Sequence, residues 1–150
     1  LIGAIAHDRG DHEHAARCFA QAAVLDPERR FRRGLWEAEH LADLRRYDEA
    51  EALLVPNREA CLARGWAGHV SHCDVVLGIC CAAHEPERAA ARLQEARRWA
   101  RSSGEVEAEL RCYELEARLA HDEPARREVI ERALVLVRAS GARRFEGRLA

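Results

Sequence analysis

The chain has 150 residues, about one domain's worth, with 48% apolar and 33% charged side chains, which suits a globular protein with a core. Its 24 basic residues against 26 acidic ones, net −2, argue against a nucleic-acid-binding face, which needs a basic excess or stripe. No apolar run approaches the ~20 residues that span a bilayer, and no basic segment leads into an apolar one as in a signal peptide.

The first element is a helix over residues 1–9, ended at Gly10, which suits the left-handed conformation of a helix C-terminus. Asp11 then caps a second helix. Ala15, Ala16, Phe19, Ala22 and Ala23 form its apolar face at helical spacing, and Asp26-Pro27 stops it. A second unit begins with a helix from Glu28 to Leu44, apolar at Leu35, Ala38, Leu41 and Ala42. Asp48 with Glu51 three residues on reads as a capping-box start for the next helix. Pro56 is expected to kink or restart that helix near Asn57, with continuation to Ala63 and an exit at Gly65.

The third unit carries Val70, Cys73, Leu77, Cys80, Cys81 and His84 on one helical stripe. Its turn is His84-Glu85-Pro86-Glu87, with Pro86 in the first turn of a second helix that is lined by Ala89, Leu93, Ala96 and Ala100 and ends at Ser102-Ser103-Gly104. The fourth unit places Val106, Leu110, Tyr113, Ala117 and Ala120 on one helix. It turns at His121 to Pro124 and packs Ile130, Ala133, Leu134 and Val137 on the next, which ends at Ser140-Gly141. A fifth helix starts at Arg143. Equivalent turns near Gly10, Tyr47, Glu85 and Glu123 recur at 37, 38 and 38 residues. No strand-like alternation occurs.

Ile2-Gly3, Ala15, Phe19, Ala22 and Pro27 stand at the spacings of the tetratricopeptide repeat (TPR) signature, with small residues where two helices cross, an aromatic wedge and a terminal proline. Leu77-Gly78 repeats its Leu-Gly pair, whereas Ala6 replaces the family's aromatic. The chain resembles the TPR family, and its longer period and the phrases at Trp99 to Gly104 and Val137 to Glu146 resemble the TPR regions of bacterial MalT-like regulators and signalling ATPases. That resemblance implies an all-α fold, a right-handed superhelical array of antiparallel helix pairs (an α-solenoid) with about four repeats plus a truncated fifth. The repeats would span about 1–27, 28–65, 66–104, 105–141 and a partial 142–150. The absence of Met, and an opening and an end in mid-pattern, lead us to expect a piece of a longer chain.

Two polar clusters invite a metal reading. On the third unit, His69 with Cys73 and Cys80 with His84 are i, i+4 pairs, each able to offer two zinc ligands. The pairs lie seven residues apart, ~10 Å along a helix, so one ion cannot take both. The same stripe is the apolar face, so buried thiols and satisfied histidines in the core are the reading adopted. His69, Cys73, Cys80 and His84 remain the alternative metal set, and no cofactor is assigned. The second cluster, His7-Asp8, Asp11-His12 and His14, reads as a solvated turn with a cap, because His12 and His14 do not share a helical face. Carboxylates such as Glu107 and Glu114 read as surface partners of Arg111 and Arg118 at i+4. A GxxxxGK phosphate loop is impossible without Lys. No enzyme is expected.

Binding is the remaining activity. Stacked helix pairs make a concave groove lined by the first helix of each repeat. Carrying over the TPR groove positions gives Ala4, His7 and Asp8, then Arg32, Glu39 and Asp43, then His72, Val75 and Ile79, then Glu109, Cys112 and Glu116. The resemblance thus implies a cytoplasmic, non-catalytic region of a bacterial signalling or transcriptional regulator that takes a protein or peptide partner, or a small inducer, in this groove, with no direct nucleic-acid or membrane contact. A structural scaffold or self-association module, joining through exposed terminal helices, is the alternative, and a metal-binding module the third reading.

Overall fold

A computed structural model describes the backbone of residues 2–25, 30–142 and 145, and the side chains of all of these except 2, 4, 8, 23, 25 and 30–33. The described residues form eight α-helices: α1 (Ile2–Asp8), α2 (His12–Leu25), α3 (Arg30–Asp43), α4 (Tyr47–Ala63), α5 (Ala67–Cys81), α6 (Pro86–Ser103), α7 (Val106–Leu119) and α8 (Glu123–Ser140). There is no strand among them. None of these helices is long and apolar enough to cross a membrane. The expected stop at Asp26-Pro27 and the fifth helix from Arg143 lie outside the described residues, Phe145 excepted.

Short connections force consecutive helices to fold back and pack as hairpins. Local chemistry sets many of the ends. Asp11 accepts from the His14 amide at 3.1 Å and Asp122 from the Ala125 amide at 2.8 Å, so both cap as their types favour. Gly104 closes α6 at φ 68° with its N–H on the Ala100 carbonyl. Two local expectations fail. Asp48 and Glu51 make no capping box; the Arg46 at the start of α4 instead grips Glu49. Nor does Pro56 break α4, which runs on from Tyr47 to Ala63. Val55 and Pro56 face solvent while Leu54 and Asn57 are buried, so the lost hydrogen bond falls on the wet side and packing holds the helix through it.

The second helices of the first three hairpins begin alike. Ala15, Ala50 and Ala89 are each fully buried at the fourth residue, and each is followed four residues later by a buried wedge, Phe19, Leu54 or Leu93. The centre is α5, twelve of whose 15 residues are buried. A helix apolar nearly all round belongs inside. Against one side of α5 pack Leu35, Ala38, Leu41, Ala50 and Leu54 of α3 and α4. Against the other pack Leu93, Ala96, Ala100, Ala108 and Leu115 of α6 and α7. The helices α3 and α7 both contact α5 directly, so α3, α5 and α7 make one layer.

Candidate functional site

The polar side chains of that layer meet on α3. Trp36, Glu39, His40 and Asp43 recur at i, i+3, i+4 and i+7, which places them on one face. Glu39 is buried. Its Oε1 receives Arg111 Nη1 of α7 at 2.5 Å and lies 3.5 Å from His72 Nε2 of α5. The Arg111 guanidinium sits over the Trp36 ring, 5.5 Å from its centroid, and over Phe145 at 5.6 Å. His72 meets Trp36 edge-on at 5.9 Å. A carboxylate and a guanidinium are costly to bury, and the charge-assisted bond together with the cation–π contacts offsets that cost.

The same face of α3 reaches α1 at its other end. Asp43 Oδ2 lies 3.3 Å from His7 Nε2, and His7 Nδ1 lies 3.3 Å from His40 Nδ1. His7 and His40 are buried; Asp43 keeps about a third of its side chain in solvent (34%). Burial, then the neighbouring His7 and His12, hold the His40 imidazole below its ordinary range. Beside it, a cleft of about 400 Å³ between α2, α3 and α4 is lined by Phe19, His40, Leu41, Arg46 and Leu53 among others.

Of the predicted groove residues, then, His7, Glu39, Asp43 and His72 come together on one seam across α1, α3 and α5. The side chains of Ala4, Asp8 and Arg32 lie outside the described residues. Val75 and Ile79 are elsewhere, packed on the far side of α5 with Leu93, Ala96 and Leu115. Glu109, Cys112 and Glu116 line a separate cleft of about 270 Å³ between α6, α7 and α8. There Glu116 binds Arg97 at 2.5 Å and Arg132 at 2.9 Å, while Cys112 donates to the Ala108 carbonyl at 3.2 Å and burial pushes its thiol up to about 11. The α7 residue on the seam is Arg111, read from sequence as a surface partner of Glu107.

The alternative metal set does not converge. His69 stacks near Trp66, His84 is exposed beyond the end of α5, burial pushes the Cys80 thiol up to about 12, and Cys73 faces Cys61 of α4. Among the described residues the one group of three metal-ligating side chains is His7, His12 and His40, whose ligand atoms lie within 4.8 Å of one another.

Sequence reasoning also missed a fully buried carboxylate. Asp74, at the middle of α5, accepts from Arg58 of α4 at 2.7 and 3.0 Å and from Arg92 of α6 at 2.9 Å. Asp74 is the one acidic or arginine side chain of α5, in a helix rich in Val, Leu and Cys, and that was the available signal, because such a charge has to be paired. Nothing comparable marks Arg111 or His40, whose partners are remote in sequence.

Comparison of the chain with protein-family models, with curated proteins and with solved structures finds no match.

Proposed function

We propose that this chain is a non-catalytic helical-repeat region of the TPR kind, an α-solenoid segment serving as the protein- or ligand-binding part of a bacterial signalling or transcriptional regulator. The repeated start of the second helices supports the repeat reading: Ala15-Phe19, Ala50-Leu54 and Ala89-Leu93 occupy the small and wedge positions in turn. One observation carries the binding reading. Polar groups from α1, α3, α5 and α7 gather on one seam, with Asp43 at its exposed lip. A carboxylate there suits a basic or amine-bearing group on a partner peptide or inducer.

Selection of a random peptide library on the immobilised 150-residue chain tests this. Peptides bearing an Arg or Lys should be enriched, and Asp43→Lys should abolish their binding with helix content unchanged. Enrichment no better than on bare matrix, or binding indifferent to Asp43→Lys, removes the seam as a binding face.

A second reading, a scaffold without ligand, is favoured by how the inner seam is filled. Arg111, Trp36 and Phe145 cover Glu39 and His72, so an occupant of that part has to displace the chain's own side chains. Light scattering across a wide concentration range separates self-association from a strict monomer.

A further inference from the structure

We propose that His7, His12 and His40 bind one divalent transition-metal ion, zinc foremost, with Asp43 holding His7 in its coordinating tautomer. The site goes beyond the peptide-binding reading and stands without it. Its ligands come from the last turn of α1, the first residue of α2 and the last turn of α3, and one ligand atom from each lies within 4.8 Å of the others.

The distances suit a small cation. With Zn–N bonds of ~2.0–2.1 Å, two ligands of a tetrahedral ion stand ~3.3–3.4 Å apart. His7 Nδ1 and His40 Nδ1 stand 3.3 Å apart. Asp43 supplies what a metal-bound histidine ordinarily has, a carboxylate on its other nitrogen. A proton on His7 Nε2, donated to Asp43, leaves a lone pair on Nδ1 aimed at His40.

His12 is exposed, with its ring centroid 5.4 Å from that of His40 and 6.1 Å from that of His7. A solvent-facing ring can swing in to close the third bond. It leaves the fourth position to water and an entry path from solvent. Three imidazole nitrogens suit zinc, cobalt, nickel or copper, and disfavour magnesium and calcium, which take oxygen ligands. A bound ion would join the first hairpin to the second.

The test uses the 150-residue chain stripped with a chelator and titrated with Co²⁺ and with Zn²⁺, followed by calorimetry and visible absorption. One ion per chain is expected, with the intense d–d bands of four-coordinate Co²⁺ and a higher melting temperature in the presence of metal. His12→Ala removes an exposed ring and leaves the packing alone; it should abolish both the bands and the melting shift. Asp43→Asn, at a partly exposed position, should weaken binding by about tenfold or more. His14→Ala, on the same helix but outside the cluster, should change neither. The absence of saturable Co²⁺ uptake, or uptake that survives His12→Ala, overturns the assignment and leaves a hydrogen-bonded histidine pair.

Discussion

Asp74 has no solvent exposure, and its charge is held between one arginine of α4 and one of α6. Removing a partner from a buried ion pair costs about 3–5 kcal/mol, because the remaining charge stays desolvated. Arg58 and Arg92 keep 20% and 28% of their side chains in water, so they can partly rehydrate. We therefore expect Asp74→Ala to cost about 3 kcal/mol, the lower end of that range, read by urea unfolding. A loss below about 1 kcal/mol, the worth of an exposed pair, would show the triad to be surface-like. Arg45 is the second informative residue. It stands at φ 59° in the turn between α3 and α4, where the corresponding turn after α1 has Gly10 at φ 75°. A left-handed L-residue costs roughly 1–2 kcal/mol. Glycine gives back about half of that in chain entropy. Arg45→Gly should raise stability by about 0.5–1 kcal/mol, visible as a higher urea midpoint at unchanged slope; a lower midpoint would refute it. Residue types alone predict the caps at Asp11 and Asp122. They do not predict Arg45, because arginine carries no turn signal.

At the scale of elements, the close approach of α5 to α7 rests on Gly78. A Cβ there would run into Leu115, which is fully buried and has nowhere to swing. Replacing a helical glycine with alanine gains about 1 kcal/mol of helix propensity, and overpacking costs about 1–3 kcal/mol. With Leu115 hemmed in by Val75, Ala96 and Ala108, the second effect wins. Gly78→Ala should lower stability by about 1 kcal/mol in denaturant unfolding, and a paired Leu115→Ala should relieve the clash, which a double-mutant cycle would detect as coupling. No such coupling would mean that the helices do not touch at this point. Helix number and type are legible throughout the described sequence, because the 3.6-residue period and the prolines and glycines act locally. The register of α7 is not. Glu107 with Arg111 has the look of a solvated i, i+4 pair, and only the placement of α3 across α5 turns Arg111 inward. Without that information, Glu109, Cys112 and Glu116 are carried onto the groove when they face α6 and α8.

For the molecule as a whole, the core from α3 to α8 falls into three clusters linked through shared helices, α5 contributing to two of them and α7 to two. Trp36, Trp66 and Trp99 sit on α3, just before α5 and on α6. Because α5 packs against α3 and α4 on one side and α6 and α7 on the other, tryptophan fluorescence and far-ultraviolet circular dichroism should report a single urea transition with the same midpoint. Two separated midpoints would show that the hairpins unfold independently. The site is the least legible part of the protein at this scale. Its members, His7, His40, Glu39, His72 and Arg111, come from four helices, and a one-dimensional sequence brings none of those helices side by side.

The Glu39–Arg111 pair links residues 72 apart and reaches past the hairpin that separates them. In a simple stack each unit touches only the next, so units can be added or lost at little cost to the others. This bond sets a gauge. One more hairpin inserted between α3 and α7 would carry the guanidinium out of reach and strip buried Glu39 of its arginine. Loss of α7 would do the same damage near the opposite end of the chain. The spacing between α3 and α7 is therefore fixed from within, and these two helices can change only together.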